Sequence, residues 1–165
     1  MKPSENDYPY EIERKFLVSS AKWFKIDKPE GEKYIQGYIT NKSGKSVRIR
    51  ISPDSAFITI KGKRNGSARP EFEYSIPINE AEMMLKLFTK RQIEKIRYCV
   101  YHKGKLWEVD EFLGDNKGLV IAEIELESKD EAFEIPDWVG TEVTEDKHYY
   151  NGHLIKKPFN TWKEK

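Results

Sequence analysis

The stretch E-I-E-R-K-F-L-V, Glu11 to Val18, decides how the rest of the chain is read. Glu11, Glu13 and Lys15 sit two apart, with Ile12, Arg14 and Phe16 between them. Period-two alternation specifies a strand, because successive side chains of an extended chain point to opposite faces. The question is which face lies inside. With Ile12 and Phe16 in a core and the other face in water, the carboxylates are a solvated surface. With the charged face lining a cavity, this strand is half of a site.

The pattern recurs. Arg48 and Arg50 flank Ile49, Lys61 and Lys63 follow Ile58 and Ile60, and Glu71 and Glu73 alternate with Phe72 and Tyr74. Lys95 and Arg97 alternate with Ile96 and Tyr98, Glu108 and Asp110 flank Val109, and Glu123, Glu125 and Glu127 interleave with Ile124 and Leu126. Like-charge pairs at this spacing are scarcely commoner than composition alone yields, so it is their placement inside strand-like runs that matters.

Those runs are Glu11–Val18, Tyr34–Thr40, Ser46–Ile51, Ala56–Lys63, Glu71–Ile78, Ile93–Tyr101, Lys105–Phe112 and Leu119–Glu127. Asn65-Gly66 and Lys103-Gly104 are hairpin punctuation, and Asp115 to Gly118 precedes the last run. Asn79 with Glu82 forms a capping-box pattern ahead of Ala81, Met84, Leu85 and Phe88, and Ser128 with Glu131 repeats it ahead of Ala132 and Phe133. Shorter helices are expected near Ser19–Lys25 and Asp146–Lys156. The expected class is α+β, mainly β: eight antiparallel strands in a closed barrel or strongly curved sheet, with surface helices. Residues 1–10 read as a loose lead and residues 11–165 as a single domain.

Composition narrows the function classes. The 29 basic residues nearly match the 28 acidic ones, for a net charge of +1, whereas extended nucleic-acid binding favours a clear basic excess. No stretch is long and apolar enough for a membrane span or a signal-peptide core. Cys99 is the only cysteine; it reads as a small, partly buried thiol in an apolar run, and a reducing, cytoplasmic setting fits. His102 and His153 lack ligand spacing and read as surface residues, while Trp23, Trp107, Trp138 and Trp162 read as packing residues.

A barrel with its charged faces inward is costly to desolvate unless ions or a charged ligand complete it. Carboxylates without a His or Cys cluster suit Mg²⁺ or Mn²⁺ rather than zinc. Converging Lys and Arg suit phosphate oxygens, which arginine binds bidentately. Neither a Walker loop nor a dinucleotide fingerprint is present, so side chains would hold the phosphates.

The series E-I-E-R-K (11–15), Q-G-Y (36–38), R-I-R (48–50), T-I-K-G-K (59–63), E-F-E-Y (71–74), I-E-K-I-R (93–97), W-E-V-D (107–110) and A-E-I-E-L (122–126) resembles the CYTH superfamily, the triphosphate tunnel metalloenzymes. The resemblance implies an eight-stranded tunnel open at both ends that binds a small-molecule triphosphate with divalent metal. It is nearest to short bacterial inorganic triphosphatases. By position it implies Glu11, Glu13, Glu123 and Glu125 as metal ligands, with Asp110 and Glu73 as further ligands or supports. Lys15, Arg48, Arg50, Lys61, Lys63, Lys95 and Arg97 would grip phosphates, and Lys15 and Tyr38 would orient or deprotonate water. Two departures stand out: His148 occupies the arginine position of the late T-x-D-x-R-Y segment, and ten residues precede the first motif.

Two rival readings share this site. A class IV-type adenylate cyclase would convert ATP to cyclic AMP and pyrophosphate, and a non-catalytic module would bind polyphosphate without turnover. Products from ATP separate the first, and binding without hydrolysis the second. The sequence leaves substrate, preferred metal and oligomeric state open, a homodimer included.

Overall fold

Phe16 is buried in an aromatic core with Ile12 packed against it, while Glu11, Glu13 and Lys15 line an internal cavity. The charged face of the opening strand is therefore the inner one. The computed structural model describes residues 9–63 and 68–162. The expected Asn65-Gly66 turn lies outside the described residues.

The strands are β1 (Tyr10–Val18), β2 (Glu32–Lys42), β3 (Lys45–Ile51), β4 (Ala56–Lys61), β5 (Ala68–Ile76), β6 (Gln92–His102), β7 (Lys105–Phe112), β8 (Val120–Glu125) and β9 (Val139–Glu142). Helices α1 (Ser20–Trp23), α2 (Ile78–Phe88) and α3 (Asn151–Leu154) join them, with short 3₁₀ turns at Gly114–Asn116, Lys147–Tyr149 and Phe159–Thr161. The antiparallel order β5-β4-β3-β2-β6-β7-β8-β1 closes when β1 also pairs with β5. Among the described residues closure is brief, with Tyr10, Glu11 and Ile12 in register with β5. The later part of the same β1 edge takes β9, through Phe16 and Val18. This ninth strand is short, and nothing in its sequence alternates.

Turn chemistry fixes two hairpins. Ser43 and Gly44 (φ 53° and 77°) and Lys103 and Gly104 (φ 48° and 80°) are consecutive left-handed pairs, the geometry whose twist matches flanking strands. Gly37 serves packing: a Cβ there would meet Leu85 and Thr89 at 2.9 Å, so its absence lets the α2 segment lie directly on β2. Beneath α2, Ala81 and Leu85 pack on the outward Ile49 and Ala56. On the far side, Trp23, Trp107 and Trp138 enclose the outer faces of β1, β7 and β8, with ring centroids 5.1 Å apart for Trp23–Trp138 and 5.9 Å for Trp107–Trp138. Full burial of such side chains contributes about 1.5–3 kcal/mol each, which offsets the cost of a polar lumen.

Both capping boxes give way to proline. α2 starts at Ile78 with Pro77 as its N-cap and no side-chain cap, because the fixed Pro77 φ of −58° already starts the turn. The Ser128–Glu131 segment makes one turn but no helix. Glu131 accepts the Glu127 amide at 2.6 Å, and Pro136 follows too soon for an α-helix to grow. Cys99 is exposed rather than partly buried, since its side chain falls on the inner register near the open end, opposite Glu108.

The tunnel is not open at both ends. At one end the inner face turns apolar (Leu17, Ile93, Phe112 and Ile121), and Leu154, Ile155 and Phe159 of the C-terminal segment pack into it. Those inner side chains would otherwise be wet. The Asn41 amide ties the plug to β2 by donating to the Gly152 carbonyl at 3.0 Å. The other end, edged by Lys105, Glu108, Glu125 and Glu127, stays open.

Candidate active site

The cavity measures about 1340 Å³. Nine basic and eight acidic side chains line it among the described residues. They are segregated. β1, β8 and β7 carry Glu11, Glu13, Glu123, Glu125 and Glu108, whereas β3, β4 and β6 carry Arg48, Arg50, Lys61 and Arg97.

On the acidic side, like charges stand directly across ladders: Glu13 faces Glu125, and Glu108 faces Glu123. Such pairs repel unless a cation is shared among them. Lys15 supplies part of that charge. It pairs with Glu123, and with Glu13 at 3.2 Å. Burial alone would lower its pKa, but Glu123 and Glu13 together hold it well above the usual lysine range. Burial likewise opposes ionisation of Glu123, and Lys15 and Arg97 overcome it, leaving that carboxyl well below its ordinary range. Glu125 has no ion pair or hydrogen bond among the described residues. Desolvation, then the charges of Glu11, Glu108 and Glu13, push its pKa up.

This donor set fits a hard divalent cation: oxygen ligands only, in excess negative charge, with one carboxylate destabilised by its neighbours. As the side chains stand, no three described His, Cys, Asp or Glu residues are gathered tightly enough to ligate a metal. Lys15 holds Glu13 and Glu123, and Lys61 holds Glu11 at 2.5 Å while also reaching Glu71 at 2.8 Å. Glu11, Glu13 and Glu123 would join the unpaired Glu125 in holding a metal by exchanging these ammonium partners for it.

Asp110 and Glu73 are engaged by the cations as the side chains stand. Asp110 is fully buried and receives Arg97 through two nitrogens at 2.7 Å, with Lys95 on the same carboxylate. Arg97 also pairs with Glu108. Glu73 accepts Arg50 at 3.0 Å and the Thr59 hydroxyl at 2.7 Å, with Arg48 Nη2 3.6 Å away. These carboxylates aim guanidiniums inward, and the Nε atoms of Arg48 and Arg50 are buried without a partner among the described residues.

The remaining sequence candidates separate. Tyr38 lines the cavity directly across from Arg48. Lys95 is 1% exposed and does not line the cavity; burial, then Arg97, lowers its pKa to about 8. Lys63 is exposed beyond the end of β4 and also outside the lining. At the late departure, the His148 side chain is 66% exposed, with Nδ1 2.7 Å from Asp146, while the neighbouring Lys147 lines the cavity. His153 is not a surface residue as expected, for it lines the cavity with its Nε2 buried. Lys147, Arg69, Glu71 and Glu108 were given no role by sequence reasoning. Alternation does mark Glu71 and Glu108, but Lys147 lies on a turn with no period to betray it.

Comparison with known proteins gives a consistent result. An inorganic triphosphatase of Acetivibrio thermocellus is 48% identical over 155 residues, covering 93% of this chain and 98% of that protein. An inorganic triphosphatase of Nitrosomonas europaea is 38% identical over 152 residues, covering 87% and 95%. A crystal structure described as an inorganic triphosphatase superposes with a TM-score of 0.63 at 36% identity, covering 88% and 97%. A conserved hypothetical protein from Pyrococcus furiosus, at 21% identity and a TM-score of 0.54 over 73% and 80%, shares the fold. The CYTH domain matches residues 9–157, which takes in every strand from β1 to β9. The chain belongs to the CYTH domain family.

Proposed function

We propose that this chain hydrolyses inorganic triphosphate to pyrophosphate and phosphate, with Mg²⁺ or Mn²⁺ bound by Glu11, Glu13, Glu123 and Glu125. The observation that carries the reading is one cavity with carboxylates on one side and guanidiniums on the other. Two full-length relatives named inorganic triphosphatase support it, as does the divalent-metal dependence of triphosphatases in this family. The divalent cation, when bound, supplies charge neutralisation for phosphate oxygens and a lowered pKa for water.

The chain's own residues do the rest. Arg48, Arg50 and Arg97 bind non-bridging oxygens and offset charge that builds on them, with Asp110 and Glu73 fixing their planes. Lys15, kept ionised by Glu123 and Glu13, orients substrate or water by charge and does not take a proton at neutral pH. Tyr38, across from Arg48, is placed to orient the attacking water. Lys95 acts from beneath the cavity by holding Asp110. The setting is cytoplasmic; among the described residues no helix is long and apolar enough to cross a membrane.

The test is a substrate panel of inorganic triphosphate, thiamine triphosphate and ATP with each metal, followed by phosphate release and cyclic AMP formation. Preferential phosphate release from inorganic triphosphate is expected. Cyclic AMP with pyrophosphate from ATP, or binding with no turnover of any substrate, overturns the reading.

A further inference from the structure

Arg50 is less neutralised than Arg97, its counterpart across β2. Arg97 is paired with Asp110 and Glu108, whereas among the described residues Arg50 has one carboxylate, Glu73, which also accepts Thr59 and lies beside Arg48. Burial, then repulsion from Arg48, lowers the Arg50 pKa. Glu73 is not the only group that sets its position among the described residues. The guanidinium carbon lies 5.7 Å from the Tyr34 ring centroid and 5.4 Å from that of Phe57. The same Tyr34 ring lies 5.4 Å from the guanidinium carbon of Arg97. Register explains the geometry. β2 runs between β3 and β6, so Tyr34 projects inward between an arginine on each neighbour, and Phe57 stands directly across β3–β4 from Arg50.

The choice of partner has a consequence. A carboxylate fixes an arginine by neutralising it. An aromatic face fixes it through the ring quadrupole and leaves most of the positive charge unspent. The negative face of Tyr34 also eases repulsion between two guanidiniums that would otherwise push apart.

We propose that Tyr34 and Phe57 are positioning residues, an aromatic clamp that holds Arg50, and through Tyr34 also Arg97, oriented and still charged for the oxygens of an inorganic triphosphate. The clamp rests on the proposed triphosphatase reading for its ligand. It goes beyond that reading by assigning affinity to two side chains that bear no charge. The Tyr34 hydroxyl has no part in it; the ring does.

The experiment compares Tyr34→Leu and Tyr34→Phe with the unaltered chain. Equilibrium binding of inorganic triphosphate is measured by calorimetry without divalent metal, KM and kcat are measured with it, and Tm reports folding. Tyr34→Leu should weaken binding and raise KM about 5- to 20-fold, with kcat changed less than about threefold. Tyr34→Phe should restore both constants to within about twofold, since it keeps the ring. Unchanged Kd and KM in Tyr34→Leu, a loss confined to kcat, or Tyr34→Phe as impaired as Tyr34→Leu each overturns the clamp. If Tyr34→Leu does not fold, Phe57→Leu reads the other face of Arg50; a raised Kd supports the clamp and an unchanged one overturns it. Binding of triphosphate by the unaltered chain without hydrolysis would remove the triphosphatase reading, and the Kd comparison would still decide the clamp.

Discussion

Lys15 and Glu123 stand directly opposite each other on β1 and β8, and their side chains are ion-paired inside the cavity with Glu13 sharing the ammonium. Lys15 therefore occupies the place in the charge balance that a metal would take. Lys15→Met leaves buried carboxylates unpaired and should cost about 3–5 kcal/mol of stability without metal. Added Mg²⁺ or Mn²⁺ should then raise the variant's Tm more than it raises that of the unaltered chain. Thermal denaturation with and without metal measures this. A variant as stable as the parent and indifferent to metal would remove Lys15 from the acidic wall's balance.

Exposure separates two cations that look alike in sequence. Arg50 faces the cavity, and Arg50→Ala should raise KM for inorganic triphosphate by about tenfold or more, as expected for a lost charged hydrogen bond. Lys63 is exposed beyond β4, and Lys63→Ala should leave KM within about twofold. Steady-state kinetics decide both, and a large Lys63→Ala effect would place that side chain on the substrate.

Lys147, one residue before the His148 that stands at the family's arginine position, lines the cavity, and His148 does not. Lys147→Ala should raise KM several-fold in low salt, with the effect shrinking as ionic strength rises. His148→Ala should leave KM unchanged and remove the contact to Asp146 and the ring contacts to His153 and Trp162. The reverse ranking in the same titration would assign the role to the imidazole.

Glu125 carries a pH signature. Its folded pKa is raised by burial and by Glu11, Glu108 and Glu13. Acidification therefore protonates it before an ordinary glutamate, and metal affinity should begin to fall above the usual carboxylate range. The stability sign is opposite. Between the unfolded and the raised folded pKa the native state binds more protons, so this group favours folding more as pH falls through that window. Glu125→Gln should move the acid limb of metal binding downward, measured by Mn²⁺ titration across pH. An unmoved limb would exclude Glu125 as its source.

Much of this was legible because charge and strand period coincide. Lys105–Phe112 begins and ends where alternation says, and Glu108, Asp110, Arg97 and Glu123 fall on one face by parity alone. The illegible parts lack a period. β9 is four residues that adopt strand form because β5 vacates an edge of β1. Lys147 and His148 are adjacent on a 3₁₀ turn, and which one turns inward depends on Asp146 capping the turn through the His148 amide at 3.0 Å. Sequence shows the charge of Asp110, a further ligand or a support, but not that Arg97 and Lys95 engage both its oxygens.

Among the described residues the C-terminal stopper turns the barrel into a cup with one doorway. Incoming triphosphate and outgoing pyrophosphate and phosphate must pass the same rim, so product still inside delays the next substrate. A long linear phosphate cannot be threaded through such a vessel. It can only dip an end into it, and its interior linkages stay outside.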